Sequence, residues 1–216
     1  MHSVKDTRIR IGVLTFPVFA VVALIGALTP GIGIDPATDP AGFAQTANIV
    51  GVVNLAGIVA LAVQLYGFQA LYAFLADASD NRWAFAGMVL STLGAALFLP
   101  FLGIIAIAGP VAGRAYLSGQ SQAIKIISDA TSISNPIVFF VGDTSLLLVV
   151  LGSILFSLAI WRSEKIPKWS GIAYAIAAPL NITPHYVPVL WVTGAIFLLA
   201  AGIGIVKGVW KNVQRQ

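Results

Sequence analysis

The chain contains no cysteine, which removes disulfides, thiolate metal sites and cysteine nucleophiles from consideration. Histidine is almost as scarce. His2 and His185 leave too little for a histidine-based metal site, and no two histidines share an apolar run to hold a haem. Walker loops, HExxH and GxSxG are also missing, so the sequence points to no ATP hydrolysis, no zinc proteolysis and no cofactor. Charge is the most telling shortage. Only 9% of the residues are charged while 58% are hydrophobic, against about 25% charged residues in a soluble domain. So few ionised groups cannot coat a chain of this size, and lipid must replace water over much of its surface. In that setting a net charge of +4 is no sign of a nucleic-acid partner. It asks where the basic residues stand relative to span ends.

What is present reads as an all-α, polytopic transmembrane helical bundle. At about 20 residues per span the 216 residues form a single membrane domain with no room for a soluble one. Six spans are expected, at about 11–29, 47–76, 83–108, 137–161, 169–182 and 189–206. The first follows Lys5, Arg8 and Arg10 but outruns a signal-peptide core and has no clear Ala-x-Ala site, so it reads as uncleaved. Pro30, Pro36 and Pro40 mark 29–45 as a loop, made acidic by Asp35 and Asp39. Pro100 should kink the third span, and Gly109-Pro110 should close it. The least apolar stretch, 111–135, keeps Ile124, Ile127 and Ile133, which predicts a short helix lying on the membrane surface.

Orientation follows from counting. With the N-terminus inside, cytoplasmic segments hold Lys5, Arg8, Arg10, Arg82, Arg162, Lys165, Lys168, Lys207, Lys211 and Arg215, ten of the twelve basic residues. Only Arg114 and Lys125 fall outside, so both termini are expected in the cytoplasm. Small residues line one face of the third span (Gly87, Ser91, Gly94, Ala95) and one of the sixth (Gly194, Ala201, Gly204, Gly208), as close helix contact in lipid requires. An Ala- and Gly-rich chain also yields such stripes by composition alone.

Four residues are candidates for binding. Asp143, in Val141-Gly-Asp-Thr-Ser145, lies about 10 Å inside the start of the fourth span at 1.5 Å per residue. An acid at that depth is expected to face the bundle interior or a wet pocket and to have a partner. It then serves as a proton or cation site, as a general acid or base, or simply as an interhelical tie with Thr144 and Ser145. His185, between Pro184 and Tyr186 on the same side, either relays a proton with Asp143 or anchors its loop. Arg114 is a candidate for the same outward mouth. Gln64 stands near mid-membrane and needs a hydrogen-bond partner, more often a neighbouring helix than a substrate.

The stretch 155–174 carries Trp161-Arg162-Ser163, Pro167-Lys168-Trp169 and Gly171 around a short basic loop. In these features it resembles the DUF4386-like family of small bacterial integral membrane proteins, closely over those residues and more loosely from Asp143 to Trp210. The resemblance implies a multi-pass architecture in a prokaryotic plasma membrane and assigns no catalytic residue. Three classes of function stay open. One is an accessory or structural subunit, bound through its helix faces to a partner subunit or a second copy. Another is a small-molecule or proton-coupled transporter with a pocket at Asp143. The third is an intramembrane enzyme acting on a lipophilic substrate.

Overall fold

The computed structural model describes residues 4–76, 81–132, 135–182 and 188–213. Every regular element among them is helical. In chain order these are α1 (Val4–Val13), α2 (Thr15–Leu28), α3 (Pro40–Leu75), α4 (Asn81–Gly103), a π-helical turn (Ile104–Ala108), α5 (Gly109–Leu117), α6 (Gln122–Thr131), α7 (Pro136–Ser163), α8 (Lys168–Ile182) and α9 (Pro188–Val213). Five stretches are long and apolar enough to cross a bilayer: Asp6–Leu28, Pro40–Leu75, Arg82–Leu117, Phe140–Ser163 and Val189–Val213. The fifth expected span, α8, has 15 residues, about 22 Å of helix against a hydrocarbon core of about 30 Å.

Six helices close a ring in the order α2, α3, α4, α7, α8, α9, with α9 returning to α2. The seams use small residues. A Cβ on Gly87 would meet the backbone N of Phe156 at 2.9 Å, and one on Gly94 would meet the Ser145 carbonyl at 2.7 Å. From the other side, a Cβ on Gly152 would strike the Ser91 hydroxyl. The stripe on the third span is therefore the α4–α7 contact. On α9, Gly194, Gly204 and Gly208 face Asn181, Ser170 and Ile166 of the α8 arm, while Gly202 lies on Phe16 and Pro17 of α2. Ser153 and Ser157 donate to the Val150 and Ser153 carbonyls of their own helix, so these hydroxyls enter an apolar seam already satisfied.

Aromatic side chains occupy the middle of the ring. Phe16, Phe68, Phe156 and Tyr174, one from each of four helices, meet there with ring centroids 5.7–6.1 Å apart, mostly edge to face. Large apolar side chains such as Val18, Ile25, Val52, Val59, Leu93 and Leu147 point outward. That inversion, small residues between helices and bulky ones outside, suits a surface bathed in hydrocarbon.

Helix boundaries differ from expectation where proline chemistry decides them. Asp39 caps α3 by accepting the Gly42 amide at 2.9 Å, and Pro40 fills the first turn. The helix therefore starts well before residue 47, inside the stretch expected to be loop. The remaining connection turns at Gly31, whose φ of +88° suits glycine. Pro17 has no N–H for the Val13 carbonyl, and the first span breaks there into α1 and α2.

Gly109-Pro110 does not close the third span. The chain widens into the π-helical turn, the Gly109 N–H reaching back to the Ile104 carbonyl, and continues as α5. Gly51 of α3 makes room for it, since a Cβ there would lie 2.5 Å from Pro110 Cγ and 3.0 Å from the Ala106 carbonyl.

Beyond the ring, the start of α3 packs with α5 and α6 as a second small core of Phe43, Ala44, Ala47, Ala112, Ile124 and Ile127. The short helix expected from 111–135 exists as α6. Its apolar face covers this cap instead of a membrane plane, with Ile124 and Ile127 both buried. Ile133 lies outside the described residues.

Candidate functional site

The vertical scale of the ring is set by tryptophan. On α9, Trp191 and Trp210 are about 28 Å apart along the helix at 1.5 Å per residue, close to the thickness of a hydrocarbon core. Trp161, Trp169 and Trp210 are exposed at one end of the ring. Asp143 lies about 27 Å along α7 from Trp161 on the same measure, in the first turn of the apolar stretch Phe140–Ser163. Asp143 is also exposed, on the outer face of α7 with Phe140 and Leu147. It therefore does not face the bundle interior. No hydrogen bond or ion pair holds it among the described residues. Thr144 is half-buried, and the buried Ser145 donates to the Gly142 carbonyl at 2.6 Å within its own helix.

The other candidates do not gather around it. Arg114 donates from Nη1 to Asn48 Oδ1 at 3.1 Å, tying α5 to α3 in the cap. His185 lies outside the described residues. Lys125 and Asp129 are exposed on α6 with no ion pair between them.

Gln64 is where the sequence places it, 2% exposed on the inner side of α3. Its Oε1 is buried without a hydrogen-bond partner. Its amide nitrogen and the Thr15 hydroxyl of α2 both crowd the space a Cβ on Gly67 would take. Thr15 spends its proton on the Gly12 carbonyl, at 2.8 Å. The amide thus sits at the α2–α3 seam as a helix-packing group.

The chemistry-bearing residues that do converge are at the other end. Tyr66 donates to the Arg8 carbonyl at 3.2 Å, and Arg82 and Arg162 lie 5.5 and 5.6 Å from the ring centre of Trp83. Arg10 keeps Nε and Nη2 buried without hydrogen-bond partners. Between the α7–α8 loop and the last turns of α9 runs a groove of about 460 Å³, lined by Lys165, Lys168, Lys207 and Lys211 with Glu164 and Asn212. Asn212 builds it by donating to the Lys165 carbonyl at 2.7 Å and to its own Gly208 carbonyl at 2.9 Å. Gly208 forms the floor, where a Cβ would lie 2.9 Å from Ile166 Cα. Counting basic residues places these lysines on one side of the membrane but does not reveal that they share a groove. The only local signal is spacing, since Lys207 and Lys211 are one turn apart on α9. Compared with known proteins, the chain matches no family model, no curated protein and no solved structure.

Proposed function

We propose that the protein is a six-span membrane scaffold, an accessory subunit that presents a rigid ring of helices to a partner subunit or to a second copy of itself. The filled centre carries this reading. Phe16, Phe68, Phe156 and Tyr174 occupy the place where a transporter would run its path. The acid that a transporter or an intramembrane enzyme would use stands on the outer face.

Six crossings are supported by how α8 is tied. Trp191 at the start of α9 donates to the Asn181 carbonyl at 2.8 Å, and Asn212 near its end holds the loop before α8. The short helix and its loop together accompany α9 along its span-length run. An even number of crossings puts Val4 and Val213 at the same end, and α1 does lie against α9. The basic residues concentrated there make that end cytoplasmic. The likeness of 155–174 to DUF4386-like proteins supports a prokaryotic plasma membrane.

Reporter fusions at Gln216 and near Gly119 are expected on opposite sides of the membrane; the same side for both would end the six-span reading. For the function itself, the purified protein in sealed vesicles loaded with a pH-sensitive dye is expected to move no more protons than empty vesicles. A flux abolished by Asp143→Asn would replace the scaffold with a proton-coupled transporter.

A further inference from the structure

The lysine groove is not needed by a scaffold, and what it offers is specific. Lys165, Lys168, Lys207 and Lys211 line one concavity, with Glu164 as the one carboxylate in its lining. Two of the ammonium groups rest over aromatic rings, Lys168 Nζ at 5.7 Å from the Trp161 centroid and Lys165 Nζ at 5.6 Å from that of Phe74. The helix α8 starts in the same groove, adding the positive end of a 15-residue helix. Trp161, Trp169 and Trp210 stand exposed around that end, at the level where phospholipid headgroups lie. Four cations around one carboxylate leave an excess of positive charge that a further anion would relieve.

We infer that this groove binds the phosphate of an anionic phospholipid in the leaflet bordering it. The phosphate oxygens accept hydrogen bonds from Lys207 and Lys211 on α9 and from Lys165 and Lys168 across the groove, while the acyl chains lie along the apolar outer faces of α8 and α9. Lysine is suited to this, as a point charge that engages phosphate without a fixed fork. The inference goes beyond the scaffold reading and needs only that the ring sits in a membrane, so a proton flux that overturned the scaffold would leave it standing.

The test uses the whole protein in vesicles, with tryptophan fluorescence quenched by brominated phosphatidylglycerol or brominated phosphatidylcholine. Wild type is expected to prefer phosphatidylglycerol by about tenfold or more, and the preference is expected to fall as salt is raised. Lys168→Gln, Lys207→Gln and Lys211→Gln together alter only exposed side chains and are expected to abolish the preference, while Lys125→Gln in the distant cap leaves it intact. Equal quenching by the two lipids, or a preference that survives the triple substitution, would overturn the site. Should the triple variant fail to fold, the salt series on wild type decides, because a salt-independent preference excludes the lysines. Inorganic phosphate titrated against lipid-free protein in detergent separates the sources. Saturable binding that also erases the phosphatidylglycerol preference would assign the groove to a soluble phosphate and refute a lipid occupant.

Discussion

Where a polar side chain sits along a helix matters less than which face of the helix carries it. Asp143 is exposed on the outer face of α7 with no hydrogen bond or ion pair among the described residues, so it carries little of the fold. Asp143→Asn and Asp143→Leu are both expected to change stability by no more than about 0.5 kcal/mol, read as thermal melting in detergent; a large loss with Leu alone would return it to a buried tie. Gln64 is the opposite case, buried with an orphan oxygen. Gln64→Met keeps the length and removes the unsatisfied amide, so it is expected to raise stability by roughly 1 kcal/mol. A lower melting temperature would reveal a hydrogen bond that the packing conceals. Sequence alone could place Gln64 because its neighbours are apolar over many residues on both sides. It missed which way Asp143 faces because the residues flanking it are apolar on every side of the helix, so their pattern does not separate an inner from an outer face. The lysine groove was illegible for another reason: its walls are 39 or more residues apart in the chain, and only the fold joins Lys168 to Lys207.

Elements were legible where composition rules and obscure where a single proline does. Apolar runs marked the ring helices, and the stripe of Gly87, Ser91 and Gly94 did identify the α4–α7 seam. Gly94→Leu is expected to cost about 1–3 kcal/mol by overpacking, whereas Leu97→Phe, at a position 37% exposed, is expected to be nearly silent. Equal melting temperatures for Gly94→Leu and wild type would dissolve the seam. The π-helical turn escaped the sequence because Gly-Pro reads equally as a stop or as a first turn, and Gly51 on another helix settles which. Two glycines of α3 test this. Gly51→Ala meets Pro110 and is expected to destabilise by about 1–3 kcal/mol. Gly57→Ala, whose nearest neighbour is Leu102 Cδ1 at 3.9 Å, is expected to be neutral or slightly stabilising. If the two behave alike, the turn does not press on α3.

At the scale of the whole molecule, both α2 and α8 rest on α9, which follows them in the chain. A growing chain therefore enters the membrane as an open arc. Until α9 arrives, the flank of Phe16–Pro17 that Gly202 covers and the Ser170 side that Gly204 covers stand bare. The fold thus has a late, decisive step: insertion of one helix turns an arc into a ring. A chain lacking α9 is expected to stay membrane-inserted yet be cleared rapidly by proteases, measured as pulse-chase half-life, and co-expressed α9 is expected to restore its lifetime. Closure then acts as a checkpoint on completeness, since only a fully made chain can bury its own seam.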